Sequence, residues 1–500
     1  MSARRARHEA PRQRRLSRCA MIKSKRAPWV DWAARRMAHA GGRDADAPLF
    51  GTDFATAHTL TAGERKFVTA YPHRGTDGAR LRATVGTLLD RHFANGRTPR
   101  FQNQLYSGVE DPAMAGALTG LFANTTLATR EIAPLPTAME RAVISWLLRL
   151  VPWDATRAGG SATPGGSYSN YLALYLARKA AEARYGADAL PRLAYFVSRA
   201  GHYSIPKGAD FVGIPRGAIV EVPTDDDDRM RPDLLAAAVR DARRRGRLPF
   251  LVVATVGTTV AGALDPVAEI ARVAETESLW LHADAAWGCF GLLGPHAQRF
   301  QAGLERADSI TFDEHKHGGA PVASSFLLVR DRTSLEELRP PLGGGYLFHQ
   351  RDAARDEEDL GLTSLSCGRP FLTLSTWLAW KALGASGWRR RVAHAERLTR
   401  RFRDGIVRSA YWELAQEPQT WLVVFRPKMS AATSRVARDA VSRELRRRIN
   451  AEGRWMLNLC PMPAGYVFRV VFTNPLHTDA HVDELLEHLQ ACAARSKIGR

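Results

Sequence analysis

The 500-residue chain carries 71 lysines and arginines against 51 acids, a formal net charge of +20, and is 45% hydrophobic. That length is enough for a large buried core in two packed lobes, because single cores rarely grow past roughly 250–300 residues. No run of apolar residues is long enough to span a bilayer, and Cys19, Cys289, Cys367, Cys460 and Cys492 are scattered without ligand spacing, which argues against a membrane helix, a disulfide framework or a zinc site and for a reducing cytoplasm.

Charge is concentrated at the start. Residues 1–26 hold ten lysines and arginines and one acid, with no apolar stretch of the kind a secretory signal needs. Residues 1–28 are therefore expected to be a basic, disordered tail, with Met21 an alternative initiator. Nucleic acid is not an expected partner, since clusters such as Arg243 to Arg247 read as solvated helix ends. Residues 29–97 read as helices separated by Gly, Asp and Pro loops, including ARLRATVGTLLDRHF at 79–93.

From 98 to 372, short apolar runs alternate with helical stretches: LAYFVS (193–198), AIVEVP (218–223), FLVVATVG (250–257), LWLHADAA (279–286) and SSFLLVR (324–330). Such alternation predicts an α/β fold with a mostly parallel sheet covered on both faces. An amphipathic stretch near 371–408 precedes WLVVFRP (421–427), YVFRVVF (466–472) and the helical HVDELLEHLQACA (481–493), so 373–500 are expected to form a small α/β C-terminal domain.

Ligands of open α/β sheets collect beyond the carboxyl ends of strands. GGSATPGGSYSN, at 159–170, precedes a helical stretch, so Gly166, Ser167 and Asn170 are candidates for holding a phosphate; a plain turn is the alternative. His202, in SRAGHYS, follows a strand where an imidazole can stack on an aromatic ligand, or simply serve the core. Asp284, in LHADAAW, either caps the next helix or keeps a heterocyclic nitrogen protonated. Lys316, in SITFDEHKHGGAP, sits in an apolar setting beside Gly318 and Gly319, where a desolvated amine can condense with an aldehyde. Phosphate cradle, imidazole, carboxylate and amine follow in the order a pyridoxal phosphate enzyme requires. No metal site is read.

With RFQNQLYSG, EIAPLPTAME, PGGSYSNYLAL, GHYSIPKGA, ATVGTTVAGALDPVAEIA, GGGYLF, CGRP and YVFRVVFTNP added, the chain from about 98 to 490 resembles the group II pyridoxal-dependent amino-acid decarboxylases, above all the glutamate and cysteine-sulfinate decarboxylases. The resemblance implies a fold-type I pyridoxal phosphate (PLP)-dependent transferase architecture, aspartate aminotransferase-like, and a homodimer clasped by residues 29–97. By matching position, Lys316 would hold pyridoxal 5'-phosphate covalently and Asp284 would bind the ring nitrogen. Ala286 and His202 would flank the ring, Thr258 would lie close to it, and Gly166, Ser167 and His315 would lie near the phosphate. Arg469 would meet a substrate carboxylate, with Gln104 and Thr126 as further substrate contacts. The implied reaction is α-decarboxylation of an L-amino acid, with glutamate, aspartate or cysteine sulfinate favoured.

Three departures stand out. Asp313-Glu314 replaces the family's common Asn-Pro before the His-Lys pair, adding negative charge near a phosphate. Thr126, Ala128 and Arg130 stand where acidic-substrate relatives place aromatic and polar side chains. Residues 349–366 lack the relatives' loop tyrosine, with Ala354 at its place by ungapped register. That last departure opens an alternative outcome, aldehyde-forming oxidative deamination, unless Tyr346 or Tyr106 supplies the proton.

Overall fold

The computed structural model describes residues 28–41, 49–50, 52–106, 108–339, 345–348 and 359–496. The chain forms two compact units, Met1–Ala94 and Asn95–Arg500. No helix among the described residues is long and apolar enough to cross a membrane.

The first unit is helical: Pro28–Gly41, Phe54–Ala57, Ala62–Thr69 and Gly78–His92. Local capping explains where its helices begin. Thr61 and Glu64 exchange hydrogen bonds in a capping box, and Asp77 accepts the Arg80 N–H. Apolar burial is sparse, however, and Trp29, Phe67, Val68, Tyr71 and Phe93 are left exposed.

Among the described residues the second unit contains twelve strands: β1 (Phe101–Gln102), β2 (Gly159–Thr163), β3 (Leu193–Ser198), β4 (Ile219–Val222), β5 (Leu248–Thr255), β6 (Trp280–Asp284), β7 (Ser309–Asp313), β8 (Ser325–Val329), β9 (Trp412–Leu414), β10 (Leu422–Pro427), β11 (Met456–Met462) and β12 (Gly465–Val471). Seven form the large sheet in the order β2-β8-β7-β6-β5-β3-β4. Its pairings are parallel except around β8, which runs antiparallel to both β2 and β7. The central strands are buried along their whole length, which is why they read as continuous apolar runs rather than alternating ones.

Strand β2 departs from the sequence reading, which took its glycines for a loop. A Cβ on Gly160 would stand 2.7 Å from the Leu327 carbonyl oxygen, and one on Gly159 would stand 2.7 Å from Arg332 Cβ. Only glycine lets this edge strand approach β8 and its neighbours so closely.

The second sheet has the order β1-β11-β12-β10-β9 and is antiparallel apart from β1. Phe101 and Gln102, which the sequence reading assigned to the large lobe, thus pair with Met456 and Leu457 of the small sheet. Helix Thr373–Arg408 bends at Gly384, whose φ of 61° breaks the helical run. Before the bend Leu374 and Ser375 pack on Gly116, and after it Leu398, Phe402 and Ile406 enter the core of the small sheet.

Candidate active site

Three parallel strands end side by side at one edge of the large sheet: β5 at Thr255, β6 at Asp284 and β7 at Asp313. A cavity of about 290 Å³ opens beyond them. Gly166, Ser167, Asn170, His202, Asp284, Ala286, His315 and Lys316 all line it, so the structure brings these sequence candidates together from four separate segments.

One wall is the start of helix Gly166–Tyr185. Gly165 enters it at φ 112°, a conformation that glycine alone adopts without strain. The first two amides, of Gly166 and Ser167, have no acceptor among the described residues, so they and the helix dipole form an anion site. Asn170, one turn further in, does something else. Its amide group donates to Ser204 Oγ and Asp284 Oδ2, both at 2.9 Å, while its Oδ1 accepts the Thr311 hydroxyl at 2.6 Å and lies 3.1 Å from His282 Nε2. With all its hydrogen-bonding capacity used, Asn170 orients Asp284 and is not free for a phosphate.

Asp284 is 5% exposed and also accepts the Ala286 N–H through Oδ1 at 3.2 Å. Behind it, burial pulls the His282 imidazole down to about 4, so the ring is neutral. His282 Nδ1 lies 2.8 Å from Ser309 Oγ, which also accepts the Trp280 indole N–H at 2.9 Å. A neutral His282 that accepts at Nδ1 donates at Nε2, and this completes a directed relay from Trp280 through Ser309, His282 and Asn170 to the Asp284 carboxylate.

His202 Nδ1 lies 2.8 Å from Ser204 Oγ, which ties it to the same network. Burial, reinforced by Lys316 and opposed by Asp284 and Asp313, holds His202 below its ordinary value, so it presents a neutral ring to the cavity at pH 7. On the facing loop, Lys316 Nζ pairs with Asp313 Oδ2 at 3.1 Å, and His315 Nδ1 lies 2.9 Å from the Ser324 carbonyl oxygen while its Nε2 lies 3.7 Å from that same Asp313 Oδ2.

Four sequence candidates lie elsewhere. Gly257, at φ 98°, turns the chain so that Thr255 and Thr259 line the cavity while Thr258 is fully buried. Thr258 Oγ1 accepts the Ala263 N–H at 3.1 Å. Arg469, on β12, donates to the Thr259 carbonyl at 2.7 Å and the Asn103 carbonyl at 3.1 Å, clipping two loops together beside the cavity. Gln104 is exposed next to that clip, whereas the neighbouring Gln102 is buried against His477 and Val471. Thr126 accepts the Arg369 N–H and donates to the Cys367 carbonyl, both at 3.1 Å, so it fastens the CGRP segment. Ala354 lies outside the described residues.

Sequence reasoning missed Trp287, whose indole donates to Thr420 Oγ1 at 2.9 Å, and the supports His282, Ser204 and Thr311. None of them stands at a strand end: His282 and Thr311 lie within β6 and β7, Ser204 begins the helix Ser204–Phe211 and Trp287 comes three residues after β6, so strand-end logic passes them by.

The residues fit pyridoxal phosphate on their own chemistry. Free helix amides suit a phosphate, an oriented buried carboxylate suits a pyridinium nitrogen, and an amine stands in the same cavity. The model of the pyridoxal-dependent decarboxylase conserved domain matches residues 64–428. The mouse cysteine sulfinic acid decarboxylase is 37% identical over 406 residues, covering 78% of this chain and 81% of that protein. The mouse acidic amino acid decarboxylase GADL1 is 38% identical over 334 residues, 65% of this chain and 60% of its own. Among solved structures, mouse CSAD superposes with a TM-score of 0.83 at 33% identity, covering 93% and 98% of the two chains. The Oryza sativa TDC structure with PLP and tryptamine has a TM-score of 0.86 at 23% identity over 95% and 100%, a likeness of fold alone. The architecture is that of fold-type I enzymes.

Proposed function

The chain belongs to the pyridoxal-dependent decarboxylase family, and on that footing we propose that it is an acidic L-amino-acid α-decarboxylase, with cysteine sulfinate, aspartate or glutamate as substrate. The observation that carries the reading is the convergence of Lys316, the Asn170-oriented Asp284 and the free amides of Gly166 and Ser167 on one cavity.

Pyridoxal phosphate, when bound, supplies the electron sink for the bond to carbon dioxide. The chain's residues do the rest. Asp284, held by Asn170 and the Ala286 amide, keeps the ring nitrogen's proton in place. Lys316 Nζ provides the covalent attachment, and Asp313 Oδ2 orients that amine. His202 offers a neutral imidazole that can pass a proton at Nε2. An acidic side chain as the substrate class is supported by the relatives, a cysteine sulfinic acid decarboxylase and an acidic amino acid decarboxylase, and Arg469, bonded to Thr259 of the cavity wall, is the guanidinium we assign to it.

We extend the proposal to a cytoplasmic homodimer. Support comes from the exposed aromatic and aliphatic side chains of the first unit, and from Cys289, Cys367, Cys460 and Cys492 being free thiols. We also keep 29–97, 98–372 and 373–500 as the clasp, cofactor and C-terminal divisions; of the tail at 1–28, residues 1–27 lie outside the described residues.

The test incubates purified protein and cofactor with each common amino acid and measures carbon dioxide and amine. Borohydride reduction should fix the cofactor to a single peptide containing Lys316. Labelling at another lysine, or no carbon dioxide from any acidic amino acid, would refute the assignment.

A further inference from the structure

Asp313 occupies an unusual place. Its side chain is 1% exposed at the end of β7 and lines the same cavity as the free amides of Gly166 and Ser167. A Cβ added to Gly166 would lie 2.6 Å from either Asp313 carboxylate oxygen, so the carboxylate packs directly against the first residue of the anion-binding helix. It cannot readily turn away. Ser325 Oγ donates to Oδ1 at 2.5 Å, and Lys316 Nζ holds Oδ2 at 3.1 Å.

The surrounding charges sharpen the point. A helix N-terminus favours an anion there, and so does His315 Nε2, for which Asp313 Oδ2, 3.7 Å away, competes. Lys316 adds little net attraction, since Asp313 already neutralises it. The remaining ionisable neighbours are Asp284 on β6, the neutral His202, the buried Cys289 thiol and Glu314, none of which supplies a positive charge at pH 7. A phosphate ester near pH 7 carries close to two negative charges.

We propose that Asp313 weakens this protein's hold on the phosphate of its cofactor, giving a looser and more readily exchanged site than the helix amides and His315 alone would form. The inference rests on the pyridoxal phosphate reading above and concerns how that site discriminates charge.

Separating the phosphate from the aldehyde tests it. Cofactor-free full-length protein is titrated with pyridoxal phosphate and, separately, with pyridoxal, which lacks the phosphate; absorbance and tryptophan fluorescence report binding. Losing Asp313 also changes the environments of Lys316 and His315; the first affects both aldehydes, and repeating the comparison in an H315N background removes the second, so the ratio of the two dissociation constants isolates the phosphate. In D313N the preference for pyridoxal phosphate over pyridoxal should rise about tenfold, the scale of one like-charge contact in a partly screened site. D313S, which is smaller and brings no amide, should move the ratio the same way and guards against misfolding of one variant. A ratio that is unchanged or lower in the variants overturns the inference while leaving the cofactor assignment standing. Wild-type protein that takes up neither aldehyde overturns the cofactor assignment itself, and this inference with it.

Discussion

Glu314 provides a sharp thermodynamic test of how the loop carrying the lysine is built. It is fully buried next to Asp313, yet it does not line the cavity. Its Oε1 accepts the Trp380 indole N–H at 3.0 Å, and its Oε2 has no partner. Burial, with a further push from Asp313, raises the carboxyl from 4.5 to about 8, so the native protein keeps it protonated at pH 7. Below pH 4.5 the folded and unfolded states both hold that proton. Above it the unfolded chain releases the proton while the native state retains it, so stability falls as pH rises until the folded group itself ionises near 8. Each pH unit in that window costs about 1.4 kcal/mol, so wild-type protein loses roughly 4 kcal/mol between pH 4.5 and 7.5 through this one group. Glu314→Gln keeps an oxygen for Trp380 but leaves an unpaired amide N–H, a pH-independent cost of about 1–3 kcal/mol. The variant should therefore be less stable than wild type at pH 5 and more stable at pH 8, with the curves crossing between. Urea midpoints of cofactor-free protein at fixed concentration, measured from pH 5 to 8, give the comparison. Burial also raises Asp265 to about 7 and Asp228 to about 6, so both proteins will lose stability across this range and only their difference reports Glu314. Parallel curves would mean that Glu314 is ionised in the native state and that the reasoning fails.

The site makes three further predictions. Asp284→Asn should retain the fold and bound cofactor but lose most turnover, because a neutral amide cannot hold the ring proton; near-wild-type decarboxylation would make Asp284 a structural residue. Asn170→Ala removes one hydrogen bond to that carboxylate, worth about 1.5–3 kcal/mol, and turnover should fall roughly 10- to 100-fold, with loss of thermal stability as His282 and Thr311 lose their acceptor. If activity is unchanged, the relay through His282 has no role in orienting Asp284. Arg469→Lys cannot reach both Thr259 and Asn103, and should raise KM about tenfold for acidic amino acids specifically. An equal rise for neutral amino acids would make Arg469 a loop clip alone.

Legibility in the sequence followed burial. LAYFVS, read as 193–198, is β3 over those same residues, and the predicted helix at 79–93 is Gly78–His92, because a strand buried on both faces and a capped helix each leave a strong local pattern. Strands whose character comes from their partners left none. The glycines of β2 are required by the close approach of β8, and β1 is two residues made strand by Met456 and Leu457, more than 350 positions away in the chain.

The same rule separates the site residues. Lys316, Asp284 and His202 follow apolar runs, so strand-end logic finds them. Asn170 shows where that logic stops. A glycine-rich turn before a helix marks an anion site, but only the first turn offers unpaired amides, and Asn170 is the fifth residue of its helix. From there, in the cavity wall, its side chain reaches Asp284 at the end of β6 and His282 and Thr311 within β6 and β7. What it needs are partners that the sequence scatters over more than a hundred positions: Ser204, His282, Asp284 and Thr311. A residue that touches a cofactor can be recognised by its own chemistry, whereas one that positions such a residue becomes visible only when the fold supplies its neighbours.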